Sequence, residues 1–203
     1  MPGDTAKPQR IGVFGGTFDP PHVGHLVTAI NVAYELELDP VIMMVANVPW
    51  QKTGTRPITP AEDRLALVEA AVAHVPRLIA GDHEIRAGGD SFTADTLATL
   101  GCEFRGAELF LILGDDAAAR IHTWARADEV IQRARLVVVD RPGEPVALDP
   151  NIEWLRVEVP RLEVSSTDLR SRWADGRPLD YLVTDDVLDV VRERGLYSEQ
   201  AIA

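Results

Sequence analysis

Cysteine is nearly missing from the chain: its 203 residues include one, Cys102. That excludes an intrachain disulfide framework and any CxxC metal or redox motif. Cys102 itself is expected to be a small, buried or half-buried residue with no chemical role. Long apolar runs are also lacking. The longest, VIMMVA at 41–46 and LFLIL at 109–113, are strand-length and far short of a membrane span. The opening MPGDTAKPQR has no apolar core of the kind an export signal needs. Positive charge is scarce, with 20 Lys and Arg against 32 Asp and Glu, a formal net charge of -12. This argues against a general nucleic-acid binder, whose affinity rests on neutralising phosphates. A small polyanion is still allowed, held by a few cations and backbone amides with Mg2+ sharing the charge. These absences predict a cytoplasmic protein with neither a membrane nor a nucleic-acid partner.

Two nucleotide-binding signatures are absent as well. The glycines near the N-terminus fall at 12, 15 and 16, so the dinucleotide fingerprint G-x-G-x-x-G is not formed, and no G-x-x-x-x-G-K-[ST] phosphate loop occurs.

What the chain does have is a regular alternation of strand-like and helix-like segments. Strands are expected at 10–14, 41–46, 78–80, 108–113, 135–140 and 154–159. Helices are expected after Pro21, with Leu26, Ile30 and Ala33 on the apolar face, and after Thr59–Pro60, with Leu65, Val68 and Val72 inward. Others are expected at 93–100, 125–133, from SSTD at 165 to Gly176, and from TDD at 184 to Gly195. This pattern predicts an α/β domain, doubly wound around a mostly parallel sheet, with a small C-terminal helical part. The apolar fraction of 46% suits one compact domain at 10–203 behind a flexible tail at 1–9.

The stretch GVFGGTFDPPHVGH, residues 12–25, follows the first expected strand. Ligands of parallel sheets bind beyond the carboxyl ends of strands, near helix N-termini. Gly15 and Gly16 let backbone amides approach a phosphate, Thr17 adds a hydroxyl, and the following helix adds its positive end. His22 and His25, three apart, share one helix face, and Gly24 between them leaves room. A zinc site would need more ligands than this pair. Convergent phosphate donors are the better reading.

GGTFDPPHVGH resembles the GGTFDP-x-H-x-GH signature of the HxGH nucleotidyltransferase superfamily. Over nearly its full length the chain further resembles the nicotinate-nucleotide adenylyltransferase family. The resemblance is carried by GDSFTADTL (89–97), LILGDDA (111–117), TW (123–124), VDRPG (139–143), VSSTDLR (164–170) and GLY (195–197). It implies a Rossmann-like nucleotidyltransferase fold and transfer of AMP from ATP to nicotinate mononucleotide (NaMN). The products are nicotinate adenine dinucleotide (deamido-NAD) and pyrophosphate, in NAD biosynthesis, by direct in-line attack without a covalent intermediate. A phosphate acceptor, with a second pKa near ~6, is already ionised and needs no general base. The absence of a Ser–His–Asp arrangement agrees with that.

By resemblance, His22 and His25 contact the ATP phosphates, His25 nearest the α-phosphate. Ser165, Ser166 and Arg170 form a second phosphate site on the late helices at 165–195. Gly114 and Asp116 belong to the ATP site, where the carboxylate takes ribose hydroxyls, with Asp115 at a variable place. Thr93 binds the nicotinate carboxylate and Trp124 stacks on its ring. Mg2+ is expected to be held mainly by phosphates and water, without an all-protein cage. Where many relatives read PPHK, this chain reads Pro49–Trp50–Gln51–Lys52; Lys52 survives as a phosphate contact. His74, His83 and His122 are expected to be structural or solvent-facing, and Asp82 and Glu84 to lie at the surface or a sheet edge without chemistry. A homo-oligomer is allowed for. Two other functions stay open: another HxGH enzyme using phosphopantetheine or a cytidylyl donor, and a regulatory module that binds ATP or AMP without turnover.

Overall fold

The computed structural model describes residues 8–49, 57–140, 147–160 and 162–197. Lys52, Trp50 and Gln51 lie outside the described residues, as does the tail at 1–7.

Six strands form one sheet: β1 (Arg10–Gly16), β2 (Val41–Val45), β3 (Leu78–Gly81), β4 (Glu108–Gly114), β5 (Arg135–Asp140) and β6 (Trp154–Glu158). Their order is β3-β2-β1-β4-β5-β6, and every neighbouring pair is parallel. The chain winds outward from β1 to β3, returns to β4 beside β1, and winds outward again. A switch point therefore lies between the carboxyl ends of β1 and β4, where ligands of such sheets bind.

Helices cover both faces, which explains why the strands read as continuous apolar runs. All five residues of β2 are buried. Their side chains alternate: Val41, Met43 and Val45 enter one core, Ile42 and Met44 the other. Helices α1 (Val23–Glu35), α2 (Ala61–Val72), α7 (Ser166–Asp175) and α8 (Asp185–Glu193) supply the first core. Helices α4 (Thr93–Glu103) and α6 (Ala127–Arg133) supply the second. Two short helices, α3 (His83–Ala87) and α5 (Asp115–Ala118), escape periodicity because they are too brief to show a stripe.

Most expected elements stand where the pattern put them, and the differences have physical causes. In α1 the buried stripe is Leu26, Ala29, Val32 and Ala33, with Ile30 turned outward and 43% exposed. Positions 26, 29 and 33 have the i, i+3, i+7 spacing of one helix face, and Ile30 falls outside it. The cap of α2 is Pro60, with no side-chain bond, so the expected Thr59 capping box does not form. Thr59 instead gives its carbonyl to Arg64. Cys102 is exposed, against the expectation of burial, because α4 turns Leu97 and Leu100 inward and leaves position 102 outside.

Candidate active site

Two cavities open on either side of the switch point. The larger, about 760 Å3, lies over the first turn and the start of α7. The second, about 350 Å3, lies between β1, β4 and α4. Phe14, Gly15, Gly16, Thr17 and Gly114 line both. The glycine ends of β1 and β4 thus form a shared wall, and two ligands of nucleotide size can meet across it.

His22 caps α1 and His25 stands one turn on. Their rings stack at 3.7 Å between centroids, and both line the larger cavity. The His25 Nδ1 accepts the His22 backbone N–H at 3.2 Å. A neutral His25 must therefore carry its proton on Nε2, which makes that atom the donor. Behind His25 the Phe18 ring sits edge-on at 5.0 Å. His22 is buried, with its Nδ1 unpartnered among the described residues. Burial pushes its pKa down to about 4, so the ring is neutral at pH 7 and an anion bound beside it would favour protonation.

Two glycines serve this geometry. A Cβ on Gly16 would lie 2.7 Å from the Phe18 ring, and one on Gly24 would lie 3.0 Å from the His22 Nδ1. Gly24 makes room for the imidazole as well as lining the cavity.

The late helices close over the turn. Ser165 caps α7 by accepting the Asp168 N–H at 3.2 Å. Ser166 donates to the Pro20 carbonyl at 2.8 Å, and Arg170 donates to the Asp19 carbonyl at 2.6 Å. All three residues line the larger cavity. The phenol of Tyr197 donates to the buried Asp19 carboxylate at 2.9 Å. Burial, then the Asp19 charge, push the phenol's pKa upward, so it stays protonated.

On the other side, Thr93 opens α4 and Trp124 follows a short 3-10 turn, and both line the smaller cavity. Gly114 lies between the cavities. Asp116 faces the smaller cavity, whereas Asp115, which the resemblance leaves variable, faces the larger.

Comparison with known proteins adds the deciding observation. The Cytidylyltransferase-like family model matches residues 13–172. A probable nicotinate-nucleotide adenylyltransferase from Acidothermus cellulolyticus is 43% identical over 202 residues, covering 95% of this chain and 96% of its own. The chain belongs to the nicotinate-nucleotide adenylyltransferase family. A second relative so named, from Saccharopolyspora erythraea, is 41% identical, covering 95% of this chain and 91% of its own. The fold matches that of Plasmodium falciparum nicotinic acid mononucleotide adenylyltransferase complexed with APC, with a TM-score of 0.73 at 14% identity over 93% of this chain and 97% of that one.

Membership in this family directs attention to residues that sequence reasoning missed. Glu84, expected to have no chemistry, lines the smaller cavity and accepts the Thr96 hydroxyl at 2.7 Å. Arg64 is buried and binds four backbone carbonyls at the root of both cavities. One signal was available: Arg64 shares the helical stripe of Leu67, Val68 and Ala71, and a charge on an apolar stripe needs a reason. His83 pairs with Glu103 at 2.8 Å and His122 with Asp149 at 2.7 Å, in keeping with structural roles. No helix among the described residues is long and apolar enough to cross a membrane.

Proposed function

We propose that the chain transfers AMP from ATP to NaMN, releasing pyrophosphate and forming deamido-NAD for NAD biosynthesis. The observation that carries this reading is the pair of cavities joined at Gly15–Thr17 and Gly114, one with stacked imidazoles, the other with Trp124. The family, named for this reaction in its curated relatives, supports the same assignment.

In this reading ATP occupies the larger cavity. The α1 N-terminus, Gly15, Gly16, Thr17 and Gly24 accommodate its phosphates, and the Nε2–H of His25 donates to the α-phosphate. His22 lies beside it and becomes the stronger donor as it takes up a proton near the triphosphate. Ser165, Ser166 and Arg170 hold the turn and offer donors to the β- and γ-phosphates. Lys52 is retained as a phosphate contact on the resemblance alone. NaMN enters the smaller cavity, its ring on Trp124 and its carboxylate at Thr93. Gly114, which borders both cavities, and Asp116, which lines the smaller one, are kept as the ATP-ribose contacts that the resemblance implies. The ionised NaMN phosphate then attacks the α-phosphorus in line as pyrophosphate leaves, with no covalent intermediate. The protein's part is alignment and charge neutralisation.

Mg2+ belongs to the same proposal. Among the described residues no three His, Cys, Asp or Glu gather as a metal cage. In this reading the ion is held mainly by phosphate oxygens and water and would supply charge neutralisation on the triphosphate. A cytoplasmic setting with small-molecule partners only completes the reading.

Incubation with Mg·ATP and each candidate acceptor, followed by pyrophosphate measurement, tests it. Release with NaMN supports the proposal. Release only with phosphopantetheine or another acceptor, or tight ATP binding without turnover, refutes it.

A further inference from the structure

Arg64 stands in the first turn of α2 and is 1% exposed. Placing a guanidinium there is costly on two counts. Burial strips its water, and a cation in the first turn faces the positive end of the helix dipole. Its hydrogen bonds show what the side chain does in exchange. Nε donates to the Thr59 carbonyl at 2.8 Å, and Nη1 to the carbonyls of Thr17 at 2.9 Å and Ala46 at 2.7 Å. Nη2 donates to the Asn47 carbonyl at 2.8 Å. One planar group thus joins the glycine turn after β1, the exit of β2 and the entry to α2.

Two of these carbonyls belong to residues that line the site. Thr17 lines both cavities and Ala46 the smaller one. The frame continues outward: the Ala46 N–H donates to the Gly16 carbonyl at 3.0 Å. The Asn47 N–H donates to the Ser91 hydroxyl at 2.8 Å, and its side-chain amide to the Gly89 carbonyl at 2.9 Å. A trans peptide is planar, with its C=O and N–H pointing opposite ways. Drawing the Thr17 carbonyl onto Arg64 therefore points the Phe18 N–H away from the guanidinium.

We propose that Arg64 is a positioning residue for the transfer: it locks the Thr17–Phe18 peptide and the β2 exit into one frame, setting nucleotide and acceptor at a fixed separation. The inference rests on the function proposed above. It assigns Arg64 no contact with either substrate. A lysine keeps the charge and presents one point donor in place of a fork, so it can hold part of the frame and not all of it.

The test is Arg64→Lys, with kcat, KM for ATP and NaMN, and melting temperature measured beside the native enzyme. The expected result is a kcat at least tenfold lower, with each KM changed less than about threefold and the fold retained. A kcat within twofold of native overturns the proposal, whatever the melting temperature. So does a loss confined to KM. If the lysine variant does not fold, Arg64→Ala with millimolar methylguanidinium decides. Restored turnover supports positioning; absent turnover, with or without recovered stability, overturns it. Pyrophosphate release by the native enzyme separates the two levels, since none from that control refutes the function itself and not merely the role of Arg64.

Discussion

The buried imidazole of His22 makes stability depend on pH in a calculable way. Unfolded, the ring titrates near 6.5; folded, burial holds it down to about 4. Above pH 6.5 both states are neutral at this position and the fold carries no penalty. As pH falls from 6.5 toward 4 the unfolded chain binds a proton that the native state refuses, so stability is lost across that window and levels off below it. The interval is worth about 3 kcal/mol at ~1.36 kcal/mol per pH unit, and roughly 2 kcal/mol of it is already gone at pH 5. For a chain of this size that lowers the melting temperature by about 4–8 °C. Many carboxylates titrate nearby in pH, so the native protein alone does not isolate the effect. His22→Asn does, because it keeps a polar side chain and removes the titration. Urea unfolding of both proteins at pH 5 and 7.5 gives the comparison. The native protein should lose roughly 2 kcal/mol more than the variant on acidification. Equal losses in the two proteins would refute a neutral, desolvated His22.

The remaining predictions concern the same turn and its neighbours. Gly24→Ala sets a methyl 3.0 Å from the His22 Nδ1 and should cut kcat by about tenfold or more while leaving the melting temperature level or raised, since alanine favours the helix by ~1 kcal/mol; steady-state kinetics and a thermal scan check both. His25→Ala should lower turnover by ~100-fold with an unchanged circular dichroism spectrum, the size expected for one lost charge-stabilising donor. Tyr197→Phe removes a donor from the buried Asp19 carboxylate and should cost ~1–3 kcal/mol in denaturant unfolding. Trp124→Ala should raise KM for NaMN several-fold and leave KM for ATP within twofold; a matched rise in both would move Trp124 out of the acceptor cavity.

The sheet was legible because both of its faces are covered. Its strands must be apolar throughout, and VIMMVA or LFLIL between turn formers leaves few other readings. The helix ends at Ser165, Thr184 and Gly195 were legible for a different reason, since capping chemistry is local: the Ser165 and Thr184 side chains both accept at their helix starts, and Gly195 takes a φ of +63°. Long-range polar bonds were not legible. Nothing near residue 64 announces that its guanidinium will meet carbonyls at 17, 46 and 47. The partnership of Ser166 and Arg170 with Pro20 and Asp19 is equally silent in the one-dimensional string. The motifs pointed to His22, His25, Ser165, Ser166 and Arg170, which line one cavity, and the fold was needed to show that Ser166 and Arg170 bind the turn itself.

The bond from Tyr197 to Asp19 spans 178 positions. A polypeptide leaves the ribosome from its amino end, so the first turn emerges long before the phenol that donates to its buried carboxylate. Until then the Asp19 carboxylate lacks the phenol's hydrogen bond, and the turn is without one of the bonds that hold it in the folded chain. The first turn thus completes its buried bonding only after α8 has been made.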